Sequence, residues 1–127
     1  MQNTRSRILV VDDDAVTRLS IQKCLAHDPN IEVTTSSSGD EVLKRLTGGE
    51  QVDRLLVDWN MPGLDGYELV CAVRADPRFK HLKILMLTAE TSMEHVQSAL
   101  AAGADEYLMK PFTKEMLLGK LAMIEWH

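Results

Sequence analysis

Leu55-Leu56-Val57-Asp58-Trp59-Asn60-Met61-Pro62-Gly63 is the segment from which the architecture of this chain can be read. An apolar run this short, closed by a Pro-Gly breaker, reads as a buried strand and not as a helix. It runs straight into a carboxylate. A carboxylate that ends a strand is tolerated at the rim of the sheet, where water, a cation or hydrogen-bond donors reach it. In an open parallel sheet the rim beyond the carboxyl ends of the strands is also where ligands bind. Three further apolar runs end in the same way: one closing at Val11 in Asp12, Asp13 and Asp14, one closing at Leu87 in Thr88, and one closing at Met109 in Lys110. Parallel strands would bring several carboxylates, a hydroxyl and an ammonium to one edge.

Outward from that strand, period and punctuation divide the chain evenly. Strands are expected over 7–11, 31–35, 52–58, 82–87 and 105–109. Helices are expected over 15–27, from Ser38-Gly39-Asp40 to Gly48-Gly49, from about Asp65 to just before Pro77, from a Thr91 or Ser92 cap to Gly103, and beyond Thr113. In the fourth helix Met93, Val96, Ala99 and Leu100 lie on overlapping faces. The fifth carries a Leu117, Leu121, Ile124 stripe, with Met123 off it. Strictly alternating strands and helices predict an α/β fold, a three-layer α/β/α sandwich around a five-stranded parallel sheet with right-handed crossovers.

A chain of 127 residues, 45% apolar, supports one core, so 1–127 is expected to be a single domain. A net charge of −5 argues against direct nucleic-acid binding, because phosphate backbones select basic faces. Cys24 and Cys71 show no disulfide or metal spacing and read as reduced thiols. The polar start lacks a signal-peptide core, and no apolar run approaches membrane-spanning length, so a cytoplasmic protein with no membrane partner is expected. His27, His81, His95 and His127 share no ligand spacing and are expected at the surface.

Taken alone, Asp12, Asp13 and Asp14 fit a solvated turn or a helix cap as well as they fit a site. Asp58 changes that balance. Carboxylates about 4 Å apart repel by roughly 4 kcal/mol per pair at an effective dielectric near 20, so their convergence calls for a cation. An oxygen-only set of carboxylates, water and a backbone carbonyl suits Mg²⁺. Lys110 either neutralises this acidity or supplies a point charge to a phosphoryl group, and Thr88 either ends a strand or donates to a phosphoryl oxygen. Together these parts describe phosphoryl transfer to a carboxylate nucleophile.

Val11-Asp12-Asp13, Asp58-Trp59-Asn60-Met61-Pro62, Asp65-Gly66, Leu87-Thr88-Ala89-Glu90, Ala102-Gly103-Ala104 and Lys110-Pro111-Phe112-Thr113 together resemble the motif set of response regulator receiver domains of two-component signalling. The likeness spans the whole chain, in order, and is CheY-like. It implies the flavodoxin-like strand order 2-1-3-4-5 and a cis Lys110-Pro111 bond. It implies that Asp58 accepts a phosphoryl group from the phosphohistidine of a histidine kinase or histidine phosphotransfer protein. Asp13, Asp58 and the Asn60 carbonyl would hold Mg²⁺, with Asp12 acting through water. Lys110 and Thr88 would contact the phosphoryl group, and Tyr107 would follow Thr88 inward. Asn60 and Glu90 would tune dephosphorylation. Val96, Tyr107 and Lys120, on the face of helix four, strand five and helix five, would meet a downstream protein target. Asp14 departs from the CheY-like pattern and receives no role. The polar start and the end at helix five suggest a freestanding domain. Motor switching, phosphorelay transfer and membership of a longer chain stay open as outputs.

A rival reading starts from the same acids. Asp12-Asp13-Asp14-Ala15-Val16 resembles the first motif of haloacid-dehalogenase phosphatases, with Asp12 as nucleophile, Thr88 as second motif and Lys110 as third. That family needs a further acidic pair after the lysine, where this chain has only Glu115 and Glu125 inside a helix. The rival also leaves Asp58 unexplained.

Overall fold

The computed structural model describes residues 5–89 and 92–124. Five strands, β1 (Ser6–Val11), β2 (Ile31–Ser36), β3 (Arg54–Asp58), β4 (Lys83–Thr88) and β5 (Glu106–Met109), alternate with five helices. These are α1 (Ala15–Leu25), α2 (Gly39–Thr47), α3 (Gly66–Arg74), α4 (Met93–Ala102) and α5 (Lys114–Met123). All strand pairings are parallel and the order is β2-β1-β3-β4-β5, as the receiver resemblance implies. The cis Lys110-Pro111 bond is present.

Successive side chains of a strand face opposite sides, so each central strand feeds two cores. Leu9, Val11, Leu55 and Val57 pack with Val42, Leu69 and Val70 beneath α2 and α3. Ile8, Val10 and Leu56 pack with Ile21, Leu25, Leu117 and Leu121 beneath α1 and α5. Near-continuous apolar strands follow from this double covering.

Element edges moved by a residue or two. The third strand is shorter than 52–58 and starts at Arg54; Asp53 just before it still donates its amide to Arg7 and gives its carbonyl to Lys83, while its carboxylate accepts from the Arg7 amide. The first helix stops at Leu25, before His27, where Asp28 turns the chain. A short 3₁₀ turn, Pro77–Phe79, follows α3. Ser92 is the cap of α4, with its hydroxyl accepting from the His95 amide. Thr91, Glu90, Glu125 and His127 lie outside the described residues. Val96 and Ala99 of α4 are buried, but Met93 and Leu100 are exposed, so the fourth helix uses a narrower apolar stripe than its composition suggests. Leu117, Leu121 and Ile124 are buried and Met123 is exposed. Cys24 and Cys71 are free thiols. No described helix is long and apolar enough to cross a membrane.

Candidate functional site

The carboxyl ends of β1, β3, β4 and β5 meet at one rim because the four strands are parallel and in register. Asp58 pairs with Leu87, and Thr88 with Met109, so the termini of three strands lie level. Backbone bonds lock the loops above them: the Trp59 amide donates to Leu87 at 2.9 Å, and the Lys110 amide to Thr88 at 2.8 Å. Asp12, Asp58 and Thr88 are buried there, while Asp13 is exposed.

Asp12, Asp13 and Asp58 each place a carboxylate oxygen within 4.8 Å of the others. The Lys110 ammonium stands between two of them, donating to Asp12 Oδ2 at 2.9 Å and to Asp58 Oδ1 at 3.0 Å. Asp12 Oδ1 accepts from the Asp14 amide at 2.9 Å, which orients the carboxyl group. One cation against three carboxylates leaves excess negative charge, and the donors are all oxygen. That set fits a hard divalent ion.

The electrostatics follow from burial. Removal from water pushes the Asp58 carboxyl up, the Lys110 hydrogen bond pulls it back, and the charges of Asp12 and Asp13 push it further, to about 6. Burial acts against the Lys110 ammonium, yet its bonds to Asp12 and Asp58 outweigh that and its pKa rises. Asp14 serves the helix: it caps α1, accepting from the Thr17 hydroxyl at 2.9 Å and the Val16 amide at 3.2 Å, and these bonds lower its pKa.

Other expected positions are more dispersed. Asn60 is exposed just past Asp58, and Glu90 lies outside the described residues. Tyr107 is half-buried on β5, with the Lys120 ammonium 4.8 Å from its ring centroid and 2.9 Å from Glu106. Val96 differs from the expectation of a contact residue: at 7% exposure it is turned into the core beside Ala99 and offers a partner little surface in this state. His95 is a surface histidine as expected, half-buried, with its imidazole 4.9 Å from the Trp59 ring.

Three supporting residues escaped sequence reading. An Arg18 guanidinium donates to the Asp12 carbonyl at 2.5 Å and braces the acidic turn from α1. Gly66 lets α3 start against the site: a Cβ there would lie 2.3 Å from the Asp58 carbonyl oxygen. Buried Arg54 donates to Leu121 and Ser6 at the far side of the sheet from these loops and ties β3 to α5. The glycine had a local signal, since Asp65-Gly66 opens a helix just after the Pro-Gly turn. Neither arginine had one.

This doubly wound sheet with an acidic rim and an opposed lysine defines a phosphoryl-signalling module, and residues 8–122 match the response regulator receiver domain family. The chain belongs to that family and is a two-component response regulator receiver. It is 38% identical over 118 residues to the chemotaxis protein CheY1 of Helicobacter pylori, covering 93% of this chain and 95% of that protein. It is 40% identical over 118 residues to CheY of Pseudomonas aeruginosa, covering 93% and 94%. The structure of the chemotaxis response regulator CheY4 of Vibrio cholerae superposes with a TM-score of 0.87 at 39% identity, over 95% of this chain and 99% of that one.

Proposed function

We propose that Asp58 is the phosphoacceptor and that its phosphorylation switches the surface formed by α4, β5 and α5. The observation that carries this reading is the convergence of Asp12, Asp13, Asp58 and Lys110 within hydrogen-bonding or ion-binding reach at one rim. A group with a pKa near 6 is about nine-tenths ionised one unit higher, so Asp58 is a competent nucleophile at neutral pH. Its oxygen attacks the phosphorus of a phosphohistidine on a histidine kinase or histidine phosphotransfer protein. The P–O bond forms as the P–N bond breaks, and the electron pair returns to the imidazole, which takes up a proton. Asp12, Asp13, Asp58 and the Asn60 carbonyl are the groups to hold Mg²⁺, which when bound neutralises charge on the phosphoryl oxygens.

Lys110 holds the acceptor oxygen in place and supplies positive charge to the incoming group. Thr88 offers its hydroxyl from the end of β4. By the receiver resemblance, Asn60 and Glu90 are the positions that tune hydrolysis of the acyl phosphate, so their size and charge set the lifetime of the signal. Tyr107 and Lys120 present the switch to a downstream protein in the cytoplasm. Buried Val96 joins that surface only as α4 shifts.

The test is to treat the protein with phosphoramidate, a P–N donor like phosphohistidine, with and without Mg²⁺. Borohydride then reduces an aspartyl phosphate to homoserine, which mass spectrometry locates. Modification at position 58, lost in Asp58→Asn, is the expected result. Modification at Asp12 would support the phosphatase reading instead.

A further inference from the structure

Trp59 follows Asp58, and its ring packs where α3 meets α4. It stacks on Tyr67 with centroids 5.7 Å apart and 23° between planes, and meets His95 from α4 at 4.9 Å. Ser92 fixes that imidazole: its hydroxyl accepts from the His95 amide and lies 3.1 Å from Nδ1. The rings form a wall of an open cleft of about 680 Å³, and Asp65 and Glu94 line the same cleft. Gln97 and Ser98 add neutral polar groups, and the described lining contains no lysine or arginine.

Aromatic surface beside two carboxylates selects a cation that has a flat face. A guanidinium stacks on rings and presents its N–H fork to carboxylates, while an ammonium acts only as a point charge. An anion would meet the repulsion of Asp65 and Glu94, and a purely apolar ligand would strip them of water without replacing it. The volume accommodates a long side chain together with the backbone that presents it.

We infer that this cleft binds an arginine side chain of a partner protein. It is separate from the acidic rim in its residues and does not rest on the phosphoryl-transfer reading. Tyr67 and Glu94 are both exposed, so they can be replaced without opening the core.

The test is a titration of isotope-labelled protein with the capped peptide acetyl-Gly-Arg-Gly-amide, followed through the Trp59 indole N–H and the Ser98 and Ala101 amides. Matched lysine and citrulline peptides and free arginine form the other arms. The expected result is saturable change confined to the cleft for the arginine peptide and weaker binding of the lysine peptide. The neutral citrulline peptide should produce no response. Tyr67→Ala and Glu94→Gln should each weaken the arginine peptide by about two- to fivefold, as loss of one cation–π or charge contact implies. Glu115→Gln, on α5, should leave it unchanged. Equal response to the citrulline peptide, absence of saturable change, or equal weakening by Glu94→Gln and Glu115→Gln would overturn the inference. Free arginine binding as tightly as the peptide would overturn the protein partner in favour of a small molecule.

Discussion

The ammonium of Lys110 stands 3.0 Å from the Asp58 carboxylate, fifty-two residues away in sequence, and shares itself with Asp12 at 2.9 Å. This pairing joins the loop after β5 to the end of β3. It also opposes the burial that raises the Asp58 pKa.

Lys110→Met removes the hydrogen bond and the positive charge that restrain Asp58, while the carboxylates of Asp12 and Asp13 still push it upward. The Asp58 pKa therefore rises above about 6. Carboxyl carbon resonances followed against pH measure this directly, and the pH of half-maximal labelling by phosphoramidate should move the same way. An unmoved titration would show that Lys110 does not hold Asp58.

Because the folded-state pKa of Asp58 lies above its ordinary 3.8, the protonated form favours folding. That contribution is complete below about 3.8 and is lost as pH rises through about 6. In metal-free protein at neutral pH, Asp58→Asn should be stabilising by roughly 1–2 kcal/mol, allowing for solvent screening. Millimolar Mg²⁺ should raise the melting temperature at neutral pH, and less so as pH falls through 6, because protons compete for the same oxygens. Asp13→Ala should remove most of the gain. An equal gain in that variant would count against the acidic rim as the metal site.

Thr88 is buried at the end of β4, beside the strand that carries Tyr107. Thr88→Ala should still accept phosphate at Asp58 yet lose most of the phosphate-dependent gain in affinity for the downstream partner. The two states must be populated already, with the phosphoryl group shifting them by its differential contacts. Binding of beryllofluoride-treated wild type and variant to the partner checks this. A full gain in the variant would break the proposed link between Thr88 and Tyr107.

Two glycine substitutions should have opposite signs. In Gly66→Ala the new Cβ would stand 2.3 Å from the Asp58 carbonyl oxygen and 2.7 Å from the Trp59 Cα, both backbone atoms. Relief requires moving α3 away from the site, so a loss of about 3 kcal/mol and slower phosphorylation are expected. Gly119 lies within α5 with nothing inside 4 Å of an added Cβ. Gly119→Ala should gain about 0.5–1 kcal/mol from backbone entropy. Urea unfolding of the two variants gives both values.

Local sequence encodes the alternation of strands and helices, the strand-end positions of Asp12, Asp58, Thr88 and Lys110, and the cap at Thr113. These are encoded by local period, turn residues and short-range hydrogen bonds, so a window of neighbouring residues contains the cause. Whatever depends on register and approach between distant segments has no local signal and appears only in the folded chain. The Lys110 ammonium between Asp12 and Asp58, the brace from Arg18 to the Asp12 carbonyl, and the close start of α3 at Gly66 arise where separate elements meet. The burial of Val96 and the packing of His95 on Trp59 belong to the same group, because a helix's own pattern does not say which neighbour covers it. The pKa of Asp58 is decided there too, since burial, Lys110 and two other carboxylates act together on it only after the four strand ends have been brought to one rim.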